Sequence, residues 1–303
     1  MRSYKIQVRP IREEIGHVKL ANLTRSGVEE LKTDLLKAHS HSKAKNAIAA
    51  LKALLKHAQK IGAVAQNVAR DVDFLDNKRH RVQIKSGVNM PTPEDVRAML
   101  RHCEGLGDSK TARRWRPLFV TAVFTSMRAS ELRGLRWHDV DLEAKEITVR
   151  QRADRWNEIG APKSKAGKRR IPLSPMVVNT LREWKVACPP SALDLVFPTN
   201  VGTVLRLTNI ESQFWHPMQR ACGLVDGKGK PRYGFHTLRH FFASWCIDQG
   251  FPWKRLQAIM GHSTITMTID TYGHLLGTDG DQDLMAAGEA ALLREPAKNV
   301  ANL

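Results

Sequence analysis

The sequence predicts a mostly α protein with a small antiparallel β-sheet, divided into a small helical N-terminal domain and a larger C-terminal one. Three observations carry this. Apolar residues recur at helical spacing through most of the 303 residues. Two short stretches, EITVRQ at 146–151 and RRIPL at 169–173, alternate instead, as strands do. Between Phe74 and Pro93 the periodicity gives way to a charged run, DNKRHRVQIKSGVNMPTP, which reads as a linker. The expected division is therefore a helical domain over 1–75, a linker over 76–92, a second domain over 93–280 and a tail helix over 281–303. A hydrophobic content of 42% supports a real core rather than a disordered chain.

In chain order, residues 1–20 are basic and lead into the first predicted helix, with little order expected at the very start. Thr24 or Ser26 can cap that helix, which carries Val28, Leu31, Leu35 and Leu36. A second helix starts near Ser42, with Ile48, Leu51, Leu54, Leu55, Ala58 and Ile61 on one face. Lys43, Lys45, Lys52, Lys56 and Lys60 lie elsewhere on it, either on DNA phosphates or as a solvated surface. Thr92, Pro93 and Asp95 make a strong helix start. The next helix runs through Trp115, Leu118, Phe119, Val123 and Phe124 to TSMRASELRGLRWHDV, where Arg128 sits between two helical segments. After the strands, Ser174 and Pro175 open a helix through Val177, Leu181 and Trp184, and Thr208 opens another through Phe214, Trp215 and Met218.

The most informative stretch is FHTLRHFFASWCIDQGFPWKRLQAIMGHSTITMTIDTYGHL, from Phe235 to Leu275. Residues three and four apart share a helix face, so His236, Arg239 and His240 lie together while Leu238, Phe241, Phe242 and Trp245 form an apolar stripe. An arginine in such a trio suggests an anion, because its planar fork matches two phosphate oxygens. Gly250 and Pro252 end this helix, Gly261 ends the next, His262 follows at once, and Ser263 can cap the segment that carries Tyr272. The chain has three tyrosines. Tyr4 lies at the N-terminus and Tyr233 in a Gly/Lys loop, which leaves Tyr272 for phenolic chemistry. His236 and His240 have the i, i+4 spacing of a metal pair, but the glutamate of HExxH is missing and no third ligand is evident, so no metal is expected.

The ordered set TSMRASELRGLRWHDVDLE, HTLRH and MGHSTITMTIDTYGHL closely resembles the tyrosine recombinase (phage integrase) family, over about Thr92 to Leu275. The resemblance implies a helical SAM-like core-binding domain followed by a tyrosine recombinase catalytic domain. It implies a catalytic set of Arg128, His236, Arg239, His262 and Tyr272, with Glu131 supporting the local structure. It also implies a lysine on the hairpin between the strands, preferably Lys163 and alternatively Lys165. Relatives commonly have Gly where this chain has Ser126, so a slightly different turn is expected there. Lys43, Lys45, Lys168 and Arg169 are the expected DNA-backbone contacts.

The chemistry follows from what a phosphodiester requires: fixed positive charge on its non-bridging oxygens and a proton for the leaving oxygen. Two arginines supply the first without a metal, and a tyrosine can become covalently linked to phosphorus. By resemblance the link is to a 3′ phosphate, the hairpin lysine protonates the 5′ oxygen, and a stored phosphotyrosine is rejoined without ATP or other cofactor. The expected function is a site-specific DNA recombinase, an integrase of a phage or other mobile element. A DNA-binding regulator without chemistry and a type IB topoisomerase-like enzyme are the alternatives. Its expected partners are double-stranded DNA with a specific recombination site, three further copies in a tetramer on paired sites, and a DNA-bending accessory protein.

The charge agrees with that partner. Lys and Arg number 48 against 30 Asp and Glu, a formal net charge of +18, which favours a polyanion. No run of apolar residues is long enough for a membrane span and no signal peptide is evident, so a cytoplasmic, DNA-associated protein is expected. The four cysteines lack disulfide or zinc spacing and read as reduced thiols. The twenty or so leading residues are too few for the extra arm-binding domain some integrases carry.

Overall fold

In the computed structural model, residues 2–74, 84–107 and 110–275 are described, with isolated helical positions between 282 and 293. The chain falls into two units, Met1–Arg81 and Val82–Leu303. The first is helical, with α1 (Arg2–Ile15), α2 (Arg25–Ala38) and α3 (His41–Lys60). Thr24 and Ser40 cap α2 and α3 by accepting from Gly27 N and Lys43 N. One apolar cluster fixes them: Ile11 of α1, Val28, Leu31 and Leu35 of α2, Ala47, Ile48, Leu51 and Leu55 of α3, closed by Ala69 and Val72. The opening residues are thus a helix that docks rather than an unstructured lead. Leu36 of α2 stays exposed; so do Leu54 and the C-cap residue Ile61, which makes the buried stripe of α3 narrower and richer in alanine than expected.

The second unit begins before Pro93. Ile84 packs against its core, Met90 is buried, and the Ile84 carbonyl accepts from His274 Nε2 at 2.7 Å. Residues 84–92 thus pack with the second unit, while 75–83 lie outside the described residues. Helices α4 (Pro93–Gly105), α5 (Lys110–Thr125) and α6 (Ala129–Arg133) follow. Thr92 and Asp95 form the expected reciprocal capping box at the start of α4.

Strands β1 (Val140–Asp141), β2 (Glu146–Val149) and β5 (Arg169–Pro172) make a three-stranded antiparallel sheet in the order β1-β2-β5. The polar stretch between β2 and β5 is more than a turn, because β3 (Arg152–Ala153) and β4 (Ile159–Gly160) pair as a separate hairpin within it. Pairing of Val149 with Arg169 and Ile147 with Ile171 puts Ile147, Val149 and Ile171 into the core.

Helix α7 (Pro175–Ala187) packs on α5. A broken run comes next, α8 (Leu207–Ile210), a π-turn over Glu211–Trp215 and α9 (His216–Ala221), starting one residue before Thr208. Trp215 is buried there, its indole donating to the Tyr233 carbonyl at 2.6 Å. Helices α10 (Thr237–Asp248), α11 (Trp253–Met260) and α12 (Ile265–Tyr272) complete the unit. Thr264, not Ser263, caps α12 by accepting from Met267 N. The tail helix expected over 281–303 lies largely outside the described residues. No helix among the described residues is long and apolar enough to cross a membrane.

Candidate active site

The site is built around the C-terminal turn of α11. Gly261, with φ +65, turns the chain away and leaves carbonyls at the negative end of the helix without intrahelical donors. Three consecutive carbonyls are taken by three arginines. Arg169 Nε donates to Ile259 O at 2.5 Å, Arg239 Nη2 to Met260 O at 2.6 Å, and Arg128 Nη2 to Gly261 O at 3.3 Å. Charge-assisted bonds of this kind contribute about 1.5–3 kcal/mol each.

Each arginine is held from a second side as well. Arg128 is the N-cap residue of α6, and Glu131, one turn on, accepts from its backbone N at 3.0 Å and its Nη1 at 2.8 Å. The same buried carboxylate accepts from Arg169 Nη2 at 2.9 Å. Paired with Glu131, the Arg128 side chain nevertheless remains 36% exposed. Arg239 is buried on α10, and its Nη1 donates to Ser126 O at 2.7 Å. Ser126 adopts φ 55, the left-handed conformation glycine would supply, and its hydroxyl donates to Ile259 O at 3.3 Å. The turn is thus of glycine type, with serine accepting the strain.

Burial would raise the Glu131 carboxyl, but Arg169, Arg128 and their hydrogen bonds outweigh it and hold the group below the ordinary carboxylate range. Burial, and then the charges of Arg128 and Arg169, lower Arg239 to about 9, which leaves it cationic at neutral pH.

Tyr272 ends α12 and is buried, 1% exposed. Burial pushes its phenol up to about 12 against the opposing pull of Arg239 and Arg128. Its hydroxyl lies 2.8 Å from His240 Nδ1. The His262 ring stacks on the tyrosine ring, centroids 6.5 Å apart and planes 6° from parallel, and its Nδ1 lies 2.9 Å from Thr268 Oγ1. His236, the N-cap residue of α10, sets its ring 5.2 Å from that of His240. Burial pushes His262 and His240 down to about 4, helped by Arg239 in both cases, so both are neutral imidazoles at pH 7. Desolvation and then the Arg239 and Arg128 charges lower His236 as well.

Arg128, His236, Arg239, His262 and Tyr272 thus come together from elements spread between residues 128 and 272. Lys163 and Lys165 are exposed on the loop before β5, where a 3₁₀ turn over Lys165–Gly167 replaces the extended course that would align them. The loop backbone lies against the site: a Cβ on Gly261 would stand 2.8 Å from Ala166 O. Lys168 is exposed, and so are Lys43 and Lys45 on α3.

Arg169 requires a correction. Its side chain is 5% exposed and its guanidinium is committed to Glu131, Ile259 O and Gly167 O, so it braces the site from inside instead of following a DNA backbone. The strand pattern carried that signal, since Arg169 alternates in phase with buried Ile171. His240 lies on the expected helix face, and its contact with Tyr272 joins residues 32 apart, which no local spacing announces. Tyr233, set aside on position, is a buried structural residue whose hydroxyl donates to Asp95 Oδ2 at 3.0 Å. All four cysteines are free thiols. Among the described residues no three His, Cys, Asp or Glu side chains gather as a metal site requires.

The chain as a whole is similar to known proteins. The model of the phage integrase family matches residues 89–278. A tyrosine recombinase XerC-like protein of Caldanaerobacter subterraneus subsp. tengcongensis is 25% identical over 75% of this chain and 60% of its own length. Tyrosine recombinase XerC of Xylella fastidiosa strain 9a5c is 27% identical over 65% of this chain and 64% of its own. The chain thus spans less than two thirds of these curated relatives. The Tn1549 transposon integrase, solved in complex with transposon right end DNA, superposes with a TM-score of 0.72 at 22% identity, covering 96% of this chain and 93% of that one. XerH site-specific recombinase, solved bound to palindromic difH substrate in a post-cleavage complex, does so with a TM-score of 0.67 at 20% identity, covering 96% and 79%.

Proposed function

Because the chain belongs to the phage integrase family, we propose that it is a site-specific DNA recombinase that cleaves and rejoins strands through a 3′-phosphotyrosyl intermediate, without metal or ATP. The observation that carries this reading is the meeting of a buried tyrosine hydroxyl, two arginines and three histidines around one helix end. Arg128 and Arg239 neutralise the non-bridging oxygens of the scissile phosphate, and their hold on rigid carbonyls means that little reorganisation accompanies the reaction. His236 and His262 donate hydrogen bonds to the same group. Tyr272 Oη attacks phosphorus and a lysine of the loop before β5, Lys163 or Lys165, protonates the departing 5′ oxygen. The bond energy retained in the phosphotyrosine lets a 5′ hydroxyl of another strand reverse the step.

On this reading the N-terminal unit is the core-binding domain and uses Lys43 and Lys45 on phosphates, while Lys168 contacts the backbone beside the catalytic centre. Two DNA sites are paired by four copies of the chain, with an accessory protein bending the duplex, and the protein works on cytoplasmic DNA. The Tn1549 integrase and XerH structures, both solved as complexes with DNA, support a DNA partner.

The test is covalent trapping on a nicked suicide substrate carrying the site this protein protects from nuclease digestion. The wild-type chain is expected to give a protein–DNA adduct that survives denaturation, and Tyr272→Phe none. Absence of an adduct from the wild type would overturn the reading.

A further inference from the structure

We propose that His240 takes the phenolic proton of Tyr272 as that oxygen attacks phosphorus. The inference rests on the recombinase reading above and adds a residue to it. Among the described residues, His240 Nδ1 is the hydrogen-bond partner of the Tyr272 hydroxyl, at 2.8 Å. His262 is not placed to serve, because its ring lies parallel to that of Tyr272 with the centroids 6.5 Å apart, and its Nδ1 is turned to Thr268. His236 touches His240 edge-on and stands on the exposed side of α10, where an incoming phosphate would be met. The three histidines thus divide by position, with His240 behind the nucleophile.

Two features fit His240 for this work. It follows Arg239 directly on α10, and Arg239 is fixed at both ends by Ser126 O and Met260 O, so the base and a phosphate-binding group share one rigid segment. The groups around its ring are His236 and Arg239 of its own helix, Tyr272 of α12 and, by charge, His262. Burial lowers its proton affinity first, and then the positive neighbours His236 and Arg239 do so. A phosphate anion held by Arg128 and Arg239 offsets that positive field. His240 therefore becomes a better base when substrate is in place, and Tyr272 stays a neutral phenol when it is not.

The step balances as follows. The Tyr272 Oη–H proton passes to His240 Nδ1 and the Oη–P bond forms. The bond from phosphorus to the 5′ oxygen breaks, and the electron pair left on that oxygen takes a proton from the loop lysine. In the reverse direction His240 returns its proton to the departing phenol.

Two series test this on the full-length protein with the suicide substrate. His240→Phe, which fills the same space, is expected to slow single-turnover cleavage by about 10²–10⁴-fold with DNA binding unchanged. Fluorinated tyrosines of falling pKa at position 272 are expected to recover most of that loss in the variant, because a phenol that ionises by itself needs no base. In the wild type the same series should change the rate by less than tenfold in all. Cleavage by His240→Phe within threefold of wild type would overturn the proposal, as would equal response of both proteins to the fluorotyrosines, which marks a packing role. If His240→Phe does not fold, the wild-type series decides alone: a rate rising about tenfold per unit fall in phenol pKa shows unassisted ionisation and removes His240. A wild type that forms no adduct fails at the earlier step and condemns the recombinase reading itself.

Discussion

Glu131 ties together two of the three arginines that hang from α11. Its oxygens are shared between the Arg128 backbone and side chain and the Arg169 guanidinium, in a pocket where the carboxylate is 2% exposed. Removing its charge leaves Arg169 buried without an anion, a change that costs about 3–5 kcal/mol in comparable cases. Glu131→Gln is therefore expected to lower unfolding free energy by about 3 kcal/mol at neutral pH, read from urea denaturation. The pH dependence gives a second reading. The folded carboxyl lies below its ordinary value, so its contribution is complete above the ordinary carboxylate range and is lost as pH falls through the lowered one. The glutamine variant is expected to lack that part of the acid-induced loss.

Single residues were also where the sequence was least explicit. The arginine, histidine and tyrosine positions were legible as an ordered set through the motifs TSMRASELRGLRWHDVDLE, HTLRH and MGHSTITMTIDTYGHL, with Gly261 and Gly273 marking helix ends beside His262 and Tyr272. The interior role of Arg169 needed its strand register, which alternation around Ile171 offers but a basic run of Lys168, Arg169 and Arg170 obscures. His240 needed a contact from α10 to α12, which is tertiary information.

At the scale of an element, α11 is eight residues long, and what makes it useful is how it stops. Gly261 sits at φ +65 with Ala166 O and the Arg169 side chain against its Cα, so an added methyl meets atoms at 2.8 and 2.9 Å. The left-handed conformation costs a side chain about 1–2 kcal/mol, and overpacking adds about 1–3 kcal/mol. Gly261→Ala is expected to destabilise by about 2–4 kcal/mol and to depress adduct formation more than Thr92→Ala, which removes a remote cap worth about 1 kcal/mol. Comparing the two at matched fractions folded, by denaturation and by suicide-substrate trapping, checks this. Most helices were legible in the sequence from capping residues: Thr24, Thr92 and Ser174 stand at the predicted starts. The hairpin of β3 and β4 was not, since two-residue strands are too short to show a period and the pairing is set by the turn over Asp154–Glu158.

For the whole molecule, the formal charge of +18 is the dominant number. A protein that neutralises about six to ten phosphates loses about 10³–10⁵ in affinity between 50 and 200 mM salt. Binding of non-specific duplex is expected to fall in that range by fluorescence anisotropy. Lys43→Ala and Lys45→Ala are expected to reduce the slope of log K against log salt by about one each, with site preference unchanged. Both lysines are exposed on α3, away from the apolar stripe that builds the N-terminal unit, so their removal leaves folding intact.

The three guanidiniums suspended from successive carbonyls have a further consequence. Whatever tilts that one turn displaces all of them in the same direction, so Arg128 and Arg239 reach a ligand together or fail to reach it together, with Arg169 moving as their brace. Evolution or engineering that aims to retune one member in isolation meets a shared hinge, and compensation must come through the turn itself.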